Sequence, residues 1–228
     1  MITAEEIYDR LYAAYGQPRW WSDDPYIVMA QSVLVQNTSW RSVEKVTDSM
    51  AGKLTPEYVR GLPSEELESI IRPCGFSKGK AAAIRRLTEW YGKYDDQAAK
   101  AEALELQELR KELLAVKGIG AETADVILVY AFHKPSFVID AYTRRFLERL
   151  GIHFASDDEI RNYFESSLER DYQLYGWYHW LILEHGIKHC RKEPSCEKCP
   201  FAVLCGKCGL AEFRFDEQMH RQITGICL

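Results

Sequence analysis

The sequence predicts an all-α fold, and three observations carry that prediction. Apolar residues recur at three- and four-residue spacing along nearly the whole chain. Residues that start and stop helices punctuate these stretches. No apolar–polar alternation persists long enough to build a sheet. With 228 residues, 46% of them hydrophobic, the chain can bury a full core.

The elements follow in order. In TAEEIYDRLYAAYG, Thr3 and Glu6 stand at capping-box spacing, and Ile7, Leu11 and Ala14 share a face. PYIVMAQSVLVQ is mostly apolar and reads as a buried helix. SWRSVEKVTDSMAG sets Val43, Val46 and Met50 on one face and stops at glycine. Ser64 is the expected N-cap of a short helix carrying Leu67, Ile70 and Ile71. SKGKAAAIRRLTEWYGKY has a basic front and an apolar back (Ala81, Ile84, Leu87, Tyr91), and LQELRKELLAV follows. Helical periodicity returns in IDAYTRRFLERLG, SDDEIRNYFESSLERDY and LYGWYHWLILEHGIKH. The residues alone read as one all-α body with a metal-bound C-terminal segment, without internal repeats or a low-complexity linker.

Net charge is −5 and the pI is near 5.8, which argues on its face against a nucleic-acid partner. Basic residues nevertheless gather locally, in 77–86, 140–149 and 186–192, so charge leaves the partner open. No stretch approaches the roughly 20 apolar residues of a membrane span. The N-terminus lacks a basic region followed by an apolar block, so a cytoplasmic protein is expected, nucleoid-associated in a prokaryote.

Seven cysteines are present. Cys74 and Cys227 are isolated and read as buried thiols. The other five fall between Cys190 and Cys208, a clustering that points to metal rather than disulfides. Cys190, Cys196, Cys199 and Cys205 give C-x5-C-x2-C-x5-C. Four thiolates hold either zinc or a [4Fe–4S] cluster, and spacing does not choose between them. Cys208 is a substitute ligand.

Two further features carry chemistry. In LLAVKGIGAETADVILVY a helix ends near Val116 and another begins near Ala121, with Gly118 and Gly120 between them. Such glycines permit positive φ and close approach, and N–H groups at a helix N-terminus suit an anion. A plain αα-hairpin turn reads the same residues equally well. Asp140, after Phe137, Val138 and Ile139 and before a basic helix, is by itself an N-cap.

The order of these features resembles the helix-hairpin-helix DNA glycosylases related to endonuclease III. The resemblance runs over most of the chain, through SVLVQNTSW, IRPCGFSKGKAAAIRRL, VKGIGAETAD, FVIDAYTRRFLERLG and LEHGIKHC. It implies two helical subdomains: residues 24–135, a six-helix domain ending in the hairpin, and residues 1–23 plus 136–228, carrying Asp140 and the cysteine loop. It implies that Lys117, Gly118, Ile119 and Gly120 grip the backbone of double-stranded DNA containing a damaged base. Asp140 then serves catalysis on the flipped-out nucleotide, in a monomeric enzyme. It also favours a [4Fe–4S] cluster over zinc on Cys190, Cys196, Cys199 and Cys205, although the first gap is five residues rather than the expected six. The cluster's implied role is to brace a basic loop of Lys188, Arg191, Lys192 and Lys198.

Bifunctional relatives place a lysine where this chain has Glu122, and a carboxylate cannot form the Schiff base that leads to strand cleavage. A monofunctional enzyme is therefore expected. Within such branches the chain is most similar to 3-methyladenine DNA glycosylase III, through Trp20 and Trp21 and through Gln36, Asn37 and Thr38 followed by Trp40. The three tryptophans become candidates for stacking a cationic base, with core packing the alternative. Gln36 and Asn37 either fill the gap left in the duplex or cap the helix near Ser39. The cysteine loop departs from the best-known member of that branch. Other readings are a glycosylase for a deaminated or oxidised base, a non-catalytic DNA-structure binder and an electron-transfer protein.

Overall fold

The computed structural model describes residues 2–50 and 52–206; Cys208 and Cys227 lie outside them. Twelve α-helices and no strand occur among the described residues. They are α1 (Ala4–Tyr15), α2 (Pro25–Leu34), α3 (Trp40–Ser49), α4 (Pro56–Gly61), α5 (Ser64–Ile71) and α6 (Ser77–Gly92). After these come α7 (Ala98–Glu102), α8 (Leu106–Ala115), α9 (Ala121–Phe132), α10 (Ala141–Arg149), α11 (Asp157–Ser167) and α12 (Tyr172–Lys188). The all-α expectation holds.

The chain forms two compact units. One comprises residues 20–138 with 171–176; the other comprises residues up to 19, 139–170 and from 177 onward. In the first unit α2 and α9 are apolar on nearly every face and pack against each other. Around them Val43, Val46, Leu67, Ile84, Leu87, Leu109 and Leu113 complete a single core. A helix apolar all round must be wrapped by others, and here α3, α5, α6 and α8 supply the wrapping.

Inside this unit several buried polar groups are paired. Asp125, 1% exposed, takes Arg110 Nε at 2.8 Å and Nη2 at 3.2 Å, and Ser136 Oγ donates to it at 2.7 Å. The pair ties α8 to α9 and to the segment that follows. Lys80, 4% exposed, donates from Nζ to Leu34 O and Cys74 O, both at 2.8 Å. It thereby closes the C-terminus of α2, where four carbonyls lack helical partners. Cys74 is a buried thiol, as its isolation suggests.

In the second unit the Thr3–Glu6 capping box forms in both directions, at 2.9 and 3.2 Å. Tyr178, on α12, is fully buried and donates to Ala4 O at 2.8 Å.

Several local expectations are corrected. Ser64 is the first residue of α5 rather than its cap; Pro63, with φ −58° and extended ψ, occupies the cap position, where its carbonyl accepts from Leu67 N. Ala14 is exposed, because the buried stripe of α1 is Ala4, Ile7 and Leu11 and stops a turn short of the helix end. The helices α4 and α7 and the 3-10 turn Arg72–Cys74 are too short to show a period.

Candidate active site and nucleic-acid interface

The glycine turn joins α8 to α9. Gly118 takes φ +106°, and a Cβ there would lie 2.7 Å from Ala83 Cβ on α6. Only glycine allows both the left-handed backbone and that approach. Gly120 differs from expectation: its φ is −91°, extended, and a Cβ would meet nothing within 4 Å. It caps α9 without a side-chain hydrogen bond, so what it leaves is open space over the helix N-terminus. Lys117 is exposed beside it, whereas Ile119 is buried and spends its N–H on Val116 O at 3.0 Å. Glu122 stands exposed in the first turn of α9, where a carboxylate favours the helix dipole.

The turn after α2 is locked onto this hairpin. Gln36 Nε2 donates to Thr123 Oγ1 at 2.9 Å and to Gly118 O at 3.3 Å. Asn37 is exposed in the left-handed region at φ 51°, and Thr38 N donates to Val35 O at 3.2 Å. Neither Gln36 nor Asn37 caps α3; Ser39 does, accepting from Ser42 N at 3.3 Å.

The three tryptophans gather in the same unit. Trp21 meets Trp40 edge-on at 5.2 Å between ring centroids, and Tyr130 lies 5.4 Å from Trp21 and 4.9 Å from Trp20. Tyr172 adds an edge to Trp20 at 5.9 Å. Trp20 and Trp21 are half-buried against the core, and Trp40 is 41% exposed. Such an exposed ring on a paired aromatic face suits stacking on a base.

Phe76 went unnoticed in the sequence. It is 76% exposed and sits at φ 47°, ψ 33°, just before α6. A bulky residue in the left-handed region is strained, and folding gains nothing from an exposed ring there. The signal was its place between Gly75 and the basic start of α6.

In the other unit Asp140 caps α10 and is 5% exposed. Its Oδ1 accepts from Thr143 N at 2.7 Å and Thr143 Oγ1 at 2.9 Å. His179 Nε2, on α12, stands 3.6 Å from Oδ2. Burial, the largest single influence, works to raise the Asp140 pKa, but His179 and the two Thr143 donors together hold it below the ordinary carboxylate value. One oxygen is thus committed to the helix, and the other, Oδ2, faces His179. His179 was missed because nothing in its sequence neighbourhood points to Asp140.

The cysteine segment belongs to the same unit. Cys190, Cys196, Cys199 and Cys205 line one small cavity together with Phe146, Pro194 and Phe201. Arg149 Nη1 donates to Cys190 Sγ at 3.2 Å and Arg191 O at 2.6 Å, and Arg145 Nε donates to Cys190 O at 2.7 Å. The helix that begins at Asp140 therefore also holds the cysteine segment. His185 beneath it is buried, with its pKa lowered to about 4 by burial and then by His189.

A helical hairpin with a glycine turn, a buried carboxylate at a helix start and a cysteine-lined cavity agree with the nucleic-acid repair class to which the family match assigns the chain. Residues 30–170 match the model of the HhH-GPD superfamily base excision DNA repair proteins, and the chain belongs to that superfamily of DNA glycosylases. It is 39% identical over 209 residues to a protein of Methanocaldococcus jannaschii assigned as a DNA repair glycosylase, covering 88% of this chain and 94% of that one. Among solved structures it resembles an H. pylori 3-methyladenine DNA glycosylase bound to 1,N6-ethenoadenine, with a TM-score of 0.70 and 26% identity, over 80% of this chain and 96% of that one. It also resembles a non-covalent endonuclease III–DNA complex, with a TM-score of 0.75 and 25% identity, over 94% and 100%.

The cap on α10 gives a first prediction. With a folded-state pKa below the unfolded value of about 3.9, the Asp140 charge stabilises the fold above that pH, and the contribution fades as pH falls through the folded value. In urea titrations at pH 7 Asp140→Asn, which still caps but carries no charge, is expected to be less stable than wild type, and Asp140→Ala, which loses the cap as well, to fall about 1 kcal/mol further. Any wild-type advantage over Asp140→Asn is expected to shrink below about pH 4.

Proposed function

We propose that this chain is a monofunctional DNA glycosylase that removes an alkylated purine, 3-methyladenine foremost, from double-stranded DNA and leaves the strand uncut. The observation that carries the reading is Asp140: a carboxylate 5% exposed yet held charged, with one oxygen uncommitted to the helix cap. The position that bears an amine in strand-cleaving relatives holds Glu122, whose carboxylate forms no imine.

The chemistry follows from the lesion. A base methylated at N3 is cationic, so the C1′–N bond breaks with its electron pair neutralising the leaving base. What remains is an oxocarbenium-like sugar, and a water oxygen bonds to C1′ as its proton passes to the surrounding water. A carboxylate with a depressed pKa is a weak general base and a strong electrostatic partner. Asp140 accordingly acts chiefly by stabilising positive charge on the sugar and orienting the water, with His179 and Thr143 holding it in place. The base must first leave the stack, which Phe76 and Asn37 are suited to assist, one by inserting a ring and the other by occupying the vacated space. Trp20, Trp21, Trp40 and Tyr130 supply π faces that favour a cationic base. Gly120 and the α9 N-terminus, with Lys117, hold a backbone phosphate. The enzyme works as a monomer on DNA in the cytoplasm.

The cysteine cavity fits a [4Fe–4S] cluster. Four thiols line one cavity partly walled by the apolar side chains of Phe146, Pro194 and Phe201, a donor set suited to such a cluster. Cys190, Cys196, Cys199 and Cys205 are the ligands. When bound, the cluster supplies a cross-link for the loop rather than a step in base removal. The same loop favours, as a second reading, an endonuclease III-like preference for a deaminated or oxidised base.

A panel of duplexes carrying 3-methyladenine, 1,N6-ethenoadenine, 7-methylguanine, hypoxanthine, uracil or thymine glycol tests the reading. Fastest release of 3-methyladenine, abolished by Asp140→Asn with DNA binding retained, is the expected result. Release of thymine glycol or uracil alone supports the second reading, and full activity of Asp140→Asn removes Asp140 from catalysis. The purified protein is expected to be brown and to contain iron; a colourless protein with stoichiometric zinc contradicts the cluster assignment.

A further inference from the structure

Gln31 lies in the middle of α2, among Val28, Met29, Ala30, Val33 and Leu34, and is 8% exposed. An amide buried there is costly unless both its ends are bonded. Both are, and the sense of each bond is fixed. Thr47 Oγ1 donates to Val43 O at 2.9 Å, so its lone pairs receive Gln31 Nε2 at 3.1 Å. That turns Gln31 Oε1 toward Trp21 Nε1, a group that only donates, at 2.7 Å. The result is a one-way relay from the indole through the amide and hydroxyl to the backbone of α3.

Apolar packing alone holds a half-buried indole loosely about its side-chain torsions, whereas a hydrogen bond at Nε1 fixes the ring plane. Trp21 is the ring shared by the edge-on contacts to Trp40 and Tyr130, so its plane sets the face presented to a base. We infer that Gln31 is a positioning residue for base recognition, locking Trp21 in the orientation that stacks on the extruded base. The inference rests on the proposed base-binding role of these aromatics.

The test is a double-mutant cycle of Gln31→Leu and Trp21→Phe in the full chain. Single-turnover release of 3-methyladenine from methylated duplex DNA is read beside the Kd for a duplex bearing a tetrahydrofuran abasic analogue. Each single variant is expected to slow release about tenfold with the Kd within about twofold, and the double variant to be no slower than the slower single one. Thr47→Val, which cuts the relay at its far end, is expected to give a smaller loss and serves if Gln31→Leu does not fold. Gln31→Leu at the wild-type rate, or rates that multiply in the double variant, overturns the inference. Trp21→Ala separates the two readings: if it releases base like wild type, the aromatic site itself is wrong; if it is slow while Gln31→Leu is normal, only the role of Gln31 falls.

Discussion

Keeping a carboxylate charged inside a protein is the constraint on which the rest of this structure turns. Moving such a group out of water costs several kcal/mol, and it stays ionised only where donors replace the lost solvent. Around Asp140 those donors come from two helices. The start of α10 provides Thr143 twice, and α12 provides His179. Both helices continue to the cysteine segment: α10 reaches it through Arg145 and Arg149, and α12 through His185. The geometry at the carboxylate and the frame of the cysteine cavity are thus set by the same pair of helices.

The hairpin unit obeys a second constraint, steric rather than electrostatic. Gly118 must lack a side chain because Ala83 of α6 occupies the space, and Gln36 then hydrogen-bonds across the turn. These contacts hold the N-terminus of α9 open toward solvent. In that opening the chain carries Glu122. Its carboxylate takes part of the favourable dipole potential.

What the sequence revealed was mostly local. The capping box of Thr3 and Glu6, the helix start at Asp140, the hairpin boundaries at Val116 and Ala121 and the all-α fold depend on residues a few positions apart, and all appear as read. Gly118 met its expectation and Gly120 did not, because the G-x-G pattern cannot say which glycine bears the positive φ. Contacts between distant segments were not legible. Gln36 reaching Thr123, His179 facing Asp140 and Gln31 behind Trp21 depend on how the helices pack, which no local spacing encodes. Phe76 was hidden for another reason: an exposed aromatic in a helical protein looks like core until its burial is known.

Base removal through a carboxylate and without an amine is the proposed chemistry of this scaffold. The most direct measurement is a single-turnover reaction on a labelled lesion duplex, quenched with borohydride and run on a denaturing gel with and without alkali. The account predicts intact strands that break only after alkali, and no protein–DNA adduct. Strand breaks without alkali, accompanied by a borohydride-trapped adduct, would contradict it.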